Sequence, residues 1–255
     1  GGPLDTGTHQ IFSCIGTGAV SFGSNGFVKK FYADWWGASS SATAAANAVA
    51  FQAATIAIPA GGILEILPFT YSLSVGTLYT TKVFHLATNK VTVEGHGEAS
   101  VLSFVPAANG DVLANVIGTD ITFRNFKALL NNTGSKTANR AFDLSTGADR
   151  CKWDGVLVDD FNGYGIYADS SVGHRILFSR FNNIQAAGAS IAYAVHLGTN
   201  CHNVDLIGNR FSTNDQDLNT AGGASNINLI GNNFADSGRT GLTNSVINLT
   251  SVTNA

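Results

Sequence analysis

The segments DLIGNRF (Asp205–Phe211) and NLIGNNF (Asn228–Phe234) repeat almost the same seven residues 23 positions apart. Three more segments fit when matched on the closing Phe: DITFRNF (Asp120–Phe126), GVLVDDF (Gly155–Phe161) and RILFSRF (Arg175–Phe181). Each carries an aliphatic residue five positions before that Phe, namely Ile121, Val156, Ile176, Leu206 and Leu229. Two mostly polar residues precede each Phe, as in Asn209-Arg210 and Asn232-Asn233. Successive Phe residues lie 35, 20, 30 and 23 positions apart. A unit of this length cannot bury its apolar face alone, so neighbouring copies must stack.

From Lys90 onward, short apolar runs such as KVTVEG, SVLSFV, AFDLS and VINLT alternate with Gly, Asn, Asp and Ser. They are too short for helices and rich in β-branched and aromatic residues. No helical segments separate them, which excludes a doubly wound α/β fold, and tight hairpin turn pairs are scarce. The pattern predicts an all-β solenoid with equivalent residues about 4.8 Å apart in successive coils. The span from Lys90 to Leu249 has room for about six coils at these spacings. The aliphatic residue and the Phe of each copy are expected in one interior stack. The polar pairs mark corners, where Asn tolerates left-handed backbone, so Asn209 and Asn232 should form a ladder between coils.

Ahead of the repeats stands ASSSATAAANAVAFQAATIAIPAGG (Ala38–Gly62). Its Ser/Thr residues offer N-caps, Ala-rich sequence follows, and Pro59 with Gly61-Gly62 stops it, so a helix is expected near 43–57. Residues 1–37 read as an irregular segment and 38–255 as one β-helical domain. Pro68 confines ILEILPFTYSLS (Ile63–Ser74) to a sheet edge or a bend. Only 12% of the 255 residues are charged and the net charge is −3. With no Lys/Arg run, the chain has no electrostatic footprint for nucleic acid or an anionic membrane. Apolar stretches are cut well before 18 residues, which argues against a membrane span. The start GGPLDTG has no initiating Met, so the chain reads as a processed or excised piece of something larger. Three cysteines, Cys14, Cys151 and Cys201, are too few and too scattered for a disulfide framework and read as small buried hydrophobes.

The run FYADWWGASSSATAAANAVAFQAATIAIPAGGILEILPFTYSLS (Phe31–Ser74), followed by VTVEGHGEASVLSF (Val91–Phe104), resembles the opening of the pectate-lyase-like superfamily. WWGA, the Ala-rich helix, PAGG and LPFTY match that family's phrases in order and spacing, although SSSATAAAN replaces its acidic stretch. The superfamily includes phage tailspikes and polysaccharide-degrading enzymes. The resemblance implies a right-handed, single-stranded parallel β-helix whose N-terminal edge is closed by the helix. It further implies a polysaccharide or cell-surface glycan as partner, a homotrimer or other stacked assembly, and a virion-surface or extracellular location.

No catalytic constellation stands out. Asp159 and Asp160 are adjacent carboxylates that could act as acid and base, with Asp169 and Arg175 as further candidates. As neighbours just before Phe161, the first two also read as an ordinary polar corner. A calcium-dependent lyase would need a carboxylate cluster, and Asp143, Asp149 and Asp154 share no tight motif with the others. His174, His196 and His202 stand without ligand-spaced companions, so neither metal nor cofactor is implied. Tyr164, Tyr167 and Tyr193 could offer faces for stacking on sugar rings. Ser212–Ser225 reads as a loop protruding from the rod, whose Asp215 and Asp217 could bond sugar hydroxyls. Asn131 and Asn248 head glycosylation sequons that matter only in a eukaryotic secretory protein. Three classes therefore stay open: a glycan-recognising spike, a secreted polysaccharide lyase or glycoside hydrolase, and a purely structural fibre or capsid component.

Overall fold

The computed structural model describes residues 29–75, 79–131, 137–144, 147–186, 192–235, 237 and 247–249. Cys14 and most of the segment read as irregular lie outside them. Three parallel sheets wind round a common core as a right-handed β-helix. Sheet 1 has eight strands, from Lys30–Tyr32 to Ser225–Ile230. Sheet 2 has seven, from Thr70–Ser74 to Asn233–Ala235, and sheet 3 has seven, from Lys82–Leu86 to Ile247–Leu249. Each coil visits sheets 1, 2 and 3 in turn, and the six coils expected after Lys90 are present.

Helix α1 (Ala44–Ala57) opens where Thr43 Oγ1 accepts the Ala46 N–H at 3.2 Å, and ends before Pro59. Phe51 plugs the N-terminal mouth of the coil, 5.3 Å from the Tyr71 ring and 6.1 Å from Phe84. Asn47, fully buried, donates to the Ser39 and Ser72 carbonyls and accepts the Ser39 N–H. A neutral amide thus satisfies backbone groups at the mouth of the helix that would otherwise be stranded.

The interior columns are read from the strand register. Sheet 1 stacks Phe31, Leu64, Val93, Phe123, Trp153, Ile176, Leu206 and Leu229. Sheet 2 stacks Leu102, Ala128, Val158, Phe181, Phe211 and Phe234, with the last three rings 5.2 and 4.9 Å apart. Three of the five matched segments therefore keep the expected stack. The other two do not. Ile121 and Val156 are buried, but the true partners of Ile176 in those coils are Phe123 and Trp153. The DITFRNF match is off by two residues and the GVLVDDF match by three. Phe126 and Phe161 are buried on either side of the sheet 2 strands rather than within them, and a buried corner aromatic looks the same in sequence as a strand one.

The Asn ladder forms, and it points inward. Asn209 Oδ1 accepts the Ser179 N–H and Asn232 Oδ1 accepts the Asn209 N–H, each at 2.9 Å. Ser179 Oγ in turn accepts the Val156 N–H at 3.2 Å. Cys151 and Cys201 are buried and free, and burial raises both thiols, Cys151 to about 12.

Candidate functional site

Where sheet 3 faces outward, its five-residue strands share one form: RAFDL (Arg140–Leu144), YGIYA (Tyr164–Ala168) and YAVHL (Tyr193–Leu197). The third and fifth residues of each strand are buried apolar groups, while the first and fourth are partly exposed except for the buried Asp143. The second residue drops out of the ladder and must be small. At Gly165 a Cβ would meet the Ala194 carbonyl oxygen at 2.4 Å, so the next coil lies directly against the backbone.

The first and fourth positions make two columns, partly exposed at the tyrosines and His196 and buried at Asp143, Gln216 and Asn219. Arg140, Tyr164, Tyr193 and Gln216 are in register, as are Asp143, Tyr167, His196 and Asn219. Tyr164 stacks on Tyr193 at 5.6 Å, and Tyr167 stacks on His196 at 5.0 Å with 10° between planes. Tyr164 meets Tyr167 edge-on at 5.1 Å. The Arg140 guanidinium lies 4.0 Å over the Tyr167 ring and 3.0 Å from Asp143 Oδ2. Below this patch, Lys82 Nζ donates to Asn115 Oδ1 at 3.0 Å, with His85 2.8 Å from the same oxygen.

Electrostatics narrow what this surface can do. Burial lowers His196 to about 4, so its imidazole is neutral at neutral pH, and Nδ1 accepts from Asn219 Nδ2 at 2.8 Å. The remaining ring nitrogen, Nε2, then carries the proton and is a donor. Burial raises Tyr167 and Tyr193, which keeps both phenols protonated and makes them donors rather than bases. The patch therefore offers flat ring faces edged by neutral donors and one charge-balanced Arg.

The sequence candidates separate. Tyr164, Tyr167 and Tyr193 come together. Asp159 projects from sheet 2, 2.6 Å from Lys127 Nζ and bonded by Asn182 at 2.8 Å. Asp160 occupies the following turn at φ 64° and is contacted by Asn183. Arg175 stands on sheet 1, 3.5 Å from Asp205. Arg175 therefore does not converge with Asp159 and Asp160. Of these four, Asp169 is the one beside the tyrosines, directly after the Tyr164–Ala168 strand.

The protruding loop is corrected outright. Gln216–Thr220 is a strand of sheet 3, and Asp215 and Asp217 are 1% and 0% exposed. Asp215 Oδ2 accepts the Ala186 and Ala192 N–H groups, and Asp217 accepts from Asn214 at 2.8 Å. Asp215 braces backbone and Asp217 fixes the buried Asn214 amide; burial raises Asp217 above the usual carboxylate range. His174 is likewise structural, buried between Ser171 Oγ and the Cys151 N–H. Sequence reading missed Arg140 and passed over Asp143 and His196 in this patch. The shared strand form with outward residues at positions one and four was the available signal.

No protein-family model and no curated protein sequence matches the chain. Among solved structures, the ORF18 protein of Geobacillus virus E2 matches with a TM-score of 0.67 and 13% identity, over 81% of this chain and 42% of that one. A candidate glycosyl hydrolase from Parabacteroides merdae matches with a TM-score of 0.60 and 16% identity, over 80% of this chain and 95% of its own. At such identities the likeness speaks to fold, and the fold it shares is the parallel β-helix.

Proposed function

We propose that the protein recognises carbohydrate along the outer face of sheet 3, as a spike of the pectate-lyase-like superfamily at a virion or cell surface. The observation that carries this reading is the packing of Tyr164, Tyr193, Tyr167 and His196 into one partly exposed aromatic patch. Sugar rings present C–H faces that lie on aromatic rings, while their hydroxyls take up edge donors and acceptors. Here the donors are neutral phenols and imidazole, set on strands rather than on loops, so little ordering cost attends binding. The likeness to a virus protein and to a candidate glycosyl hydrolase is compatible with this role. A homotrimer about the long axis belongs to the same proposal, because the last described coil leaves Leu229 and Phe234 only partly buried and Ile230 50% exposed.

One observation favours a hydrolase as second reading. Asp143 is in register with Tyr167 on the neighbouring coil, and Asp169 directly follows the Tyr167 strand. Asp143, however, is already engaged by Arg140 at 3.0 Å. A glycan array combined with an assay for released reducing ends and unsaturated sugars separates the classes. Binding without cleavage is the expected result. Cleavage would transfer the patch to the enzyme reading, and neither binding nor cleavage would leave a structural fibre.

A further inference from the structure

Sheet 2 carries a second polar surface, on a different side of the β-helix from the tyrosines. Leu157, Arg180 and Arg210 are in register on successive coils, beside a parallel column of Asp159, Asn182 and Ser212. Together they line a depression of about 220 Å³. The second column is satisfied by its own members and by Lys127, which is in register with Leu157. Asp159 takes Lys127 at 2.6 Å and Asn182 at 2.8 Å, and Ser212 Oγ donates to Asn182 Oδ1 at 3.0 Å.

The first column is not balanced. Arg180 contacts Glu98, whereas Arg210 has no carboxylate partner among the described residues and is exposed. Lys127, Arg180 and Arg210 face Asp159 and Glu98, which leaves one positive charge in excess in a chain whose net charge is −3. Two guanidinium groups on neighbouring coils start from backbones only about 4.8 Å apart and repel each other. An oxyanion between them removes that repulsion and meets a planar fork of donors that matches its geometry. Leu157, only 8% exposed, forms part of the floor of the depression.

We propose that this depression binds the carboxylate or sulfate of an acidic sugar, with Arg210 and Arg180 as donors and Leu157 against the ring. The site is separate from the tyrosine patch and does not depend on it. Its test is a titration followed through the Arg side-chain N–H resonances, with D-glucuronate, inorganic sulfate and D-glucose as probes. Saturable shifts at Arg210 with glucuronate and none with glucose are expected. The Arg210→Ala variant should weaken glucuronate at least tenfold, Arg210→Lys should restore part of it, and Tyr164→Ala should leave it unchanged. Sulfate competing with glucuronate, and weaker binding at high salt, would support an oxyanion site read by charge. The proposal is overturned if wild type shows no saturable shift, if Arg210→Ala binds as well as wild type, or if glucose binds equally. Loss of binding in Tyr164→Ala would move the site to sheet 3. Self-association abolished by Arg210→Ala, with no glucuronate shift, would assign the groove to a second copy instead.

Discussion

Asn232 does for Asn209 what Asn209 does for Ser179: its side-chain oxygen accepts the backbone N–H one coil away, at 2.9 Å in both cases. The Asn209 amide also donates to the Ile176 carbonyl at 2.8 Å. The corner between sheets 1 and 2 is too tight for ladder hydrogen bonds at every residue, so a buried amide supplies what the backbone lacks. Removing it strands at least one buried donor and one acceptor. Asn209→Ala should cost about 3 kcal/mol, at roughly 1–3 kcal/mol per unsatisfied group. Urea unfolding measures it, and a loss below about 1 kcal/mol would show the corner to be held by packing alone.

Phe178 occupies the left-handed position of the same corner. Its counterparts on neighbouring coils are Asn125, Gly155, Gly208 and Gly231, with φ between 56° and 64°. Phe178 has φ 48°, is 65% exposed, and lays its ring where a Cβ on Gly208 would sit, 2.7 Å away. Left-handed backbone at a bulky residue costs on the order of 1–2 kcal/mol, and little burial offsets it here. Phe178→Gly should therefore stabilise by about 1 kcal/mol, and Gly208→Ala should destabilise. Thermal melts of the two variants give the signs. A destabilised Phe178→Gly would mean that the ring contributes packing the exposure does not reveal.

Stability should fall in mild acid. Burial lowers His174 from 6.5 to about 4, and its imidazole is held neutral between Ser171 and the Cys151 N–H. The unfolded state thus binds more protons than the folded one between those values, and stability rises with pH across that window. The contribution is complete above about pH 6.5 and about 3 kcal/mol of it is gone by pH 4. Burial shifts His196 in the same direction. Melting temperatures from pH 7 to 4 should decline more steeply in wild type than in His174→Leu. Parallel curves would show that His174 does not control the decline.

Much of this architecture could be read from residues alone, for identifiable reasons. Thr43 before an Ala-rich run and Pro59 after it fix α1 locally, and LIGN recurs because adjacent coils ask the same of it. The failures arise where local pattern says nothing about register. Phe126 and Phe161 are as buried as strand phenylalanines, and coils of unequal length give no fixed period to expose the error. Asp215 and Asp217 look like loop residues because strands seldom bury carboxylates; backbone N–H groups of a neighbouring coil explain Asp215, and the buried Asn214 amide explains Asp217. The tyrosines were visible as aromatics. That Arg140 and His196 complete their patch follows from stacking across coils, which no single segment records.

The central claim is that the Tyr164–Tyr193 stack is a sugar-binding surface. The most direct test takes the best oligosaccharide from the array and measures its affinity by calorimetry for wild type, Tyr164→Ala/Tyr193→Ala and Arg210→Ala. Loss of two ring faces should weaken binding at least tenfold, about 1.4 kcal/mol, in the double tyrosine variant at unchanged melting temperature. A double variant that binds the oligosaccharide as tightly as wild type would contradict the account.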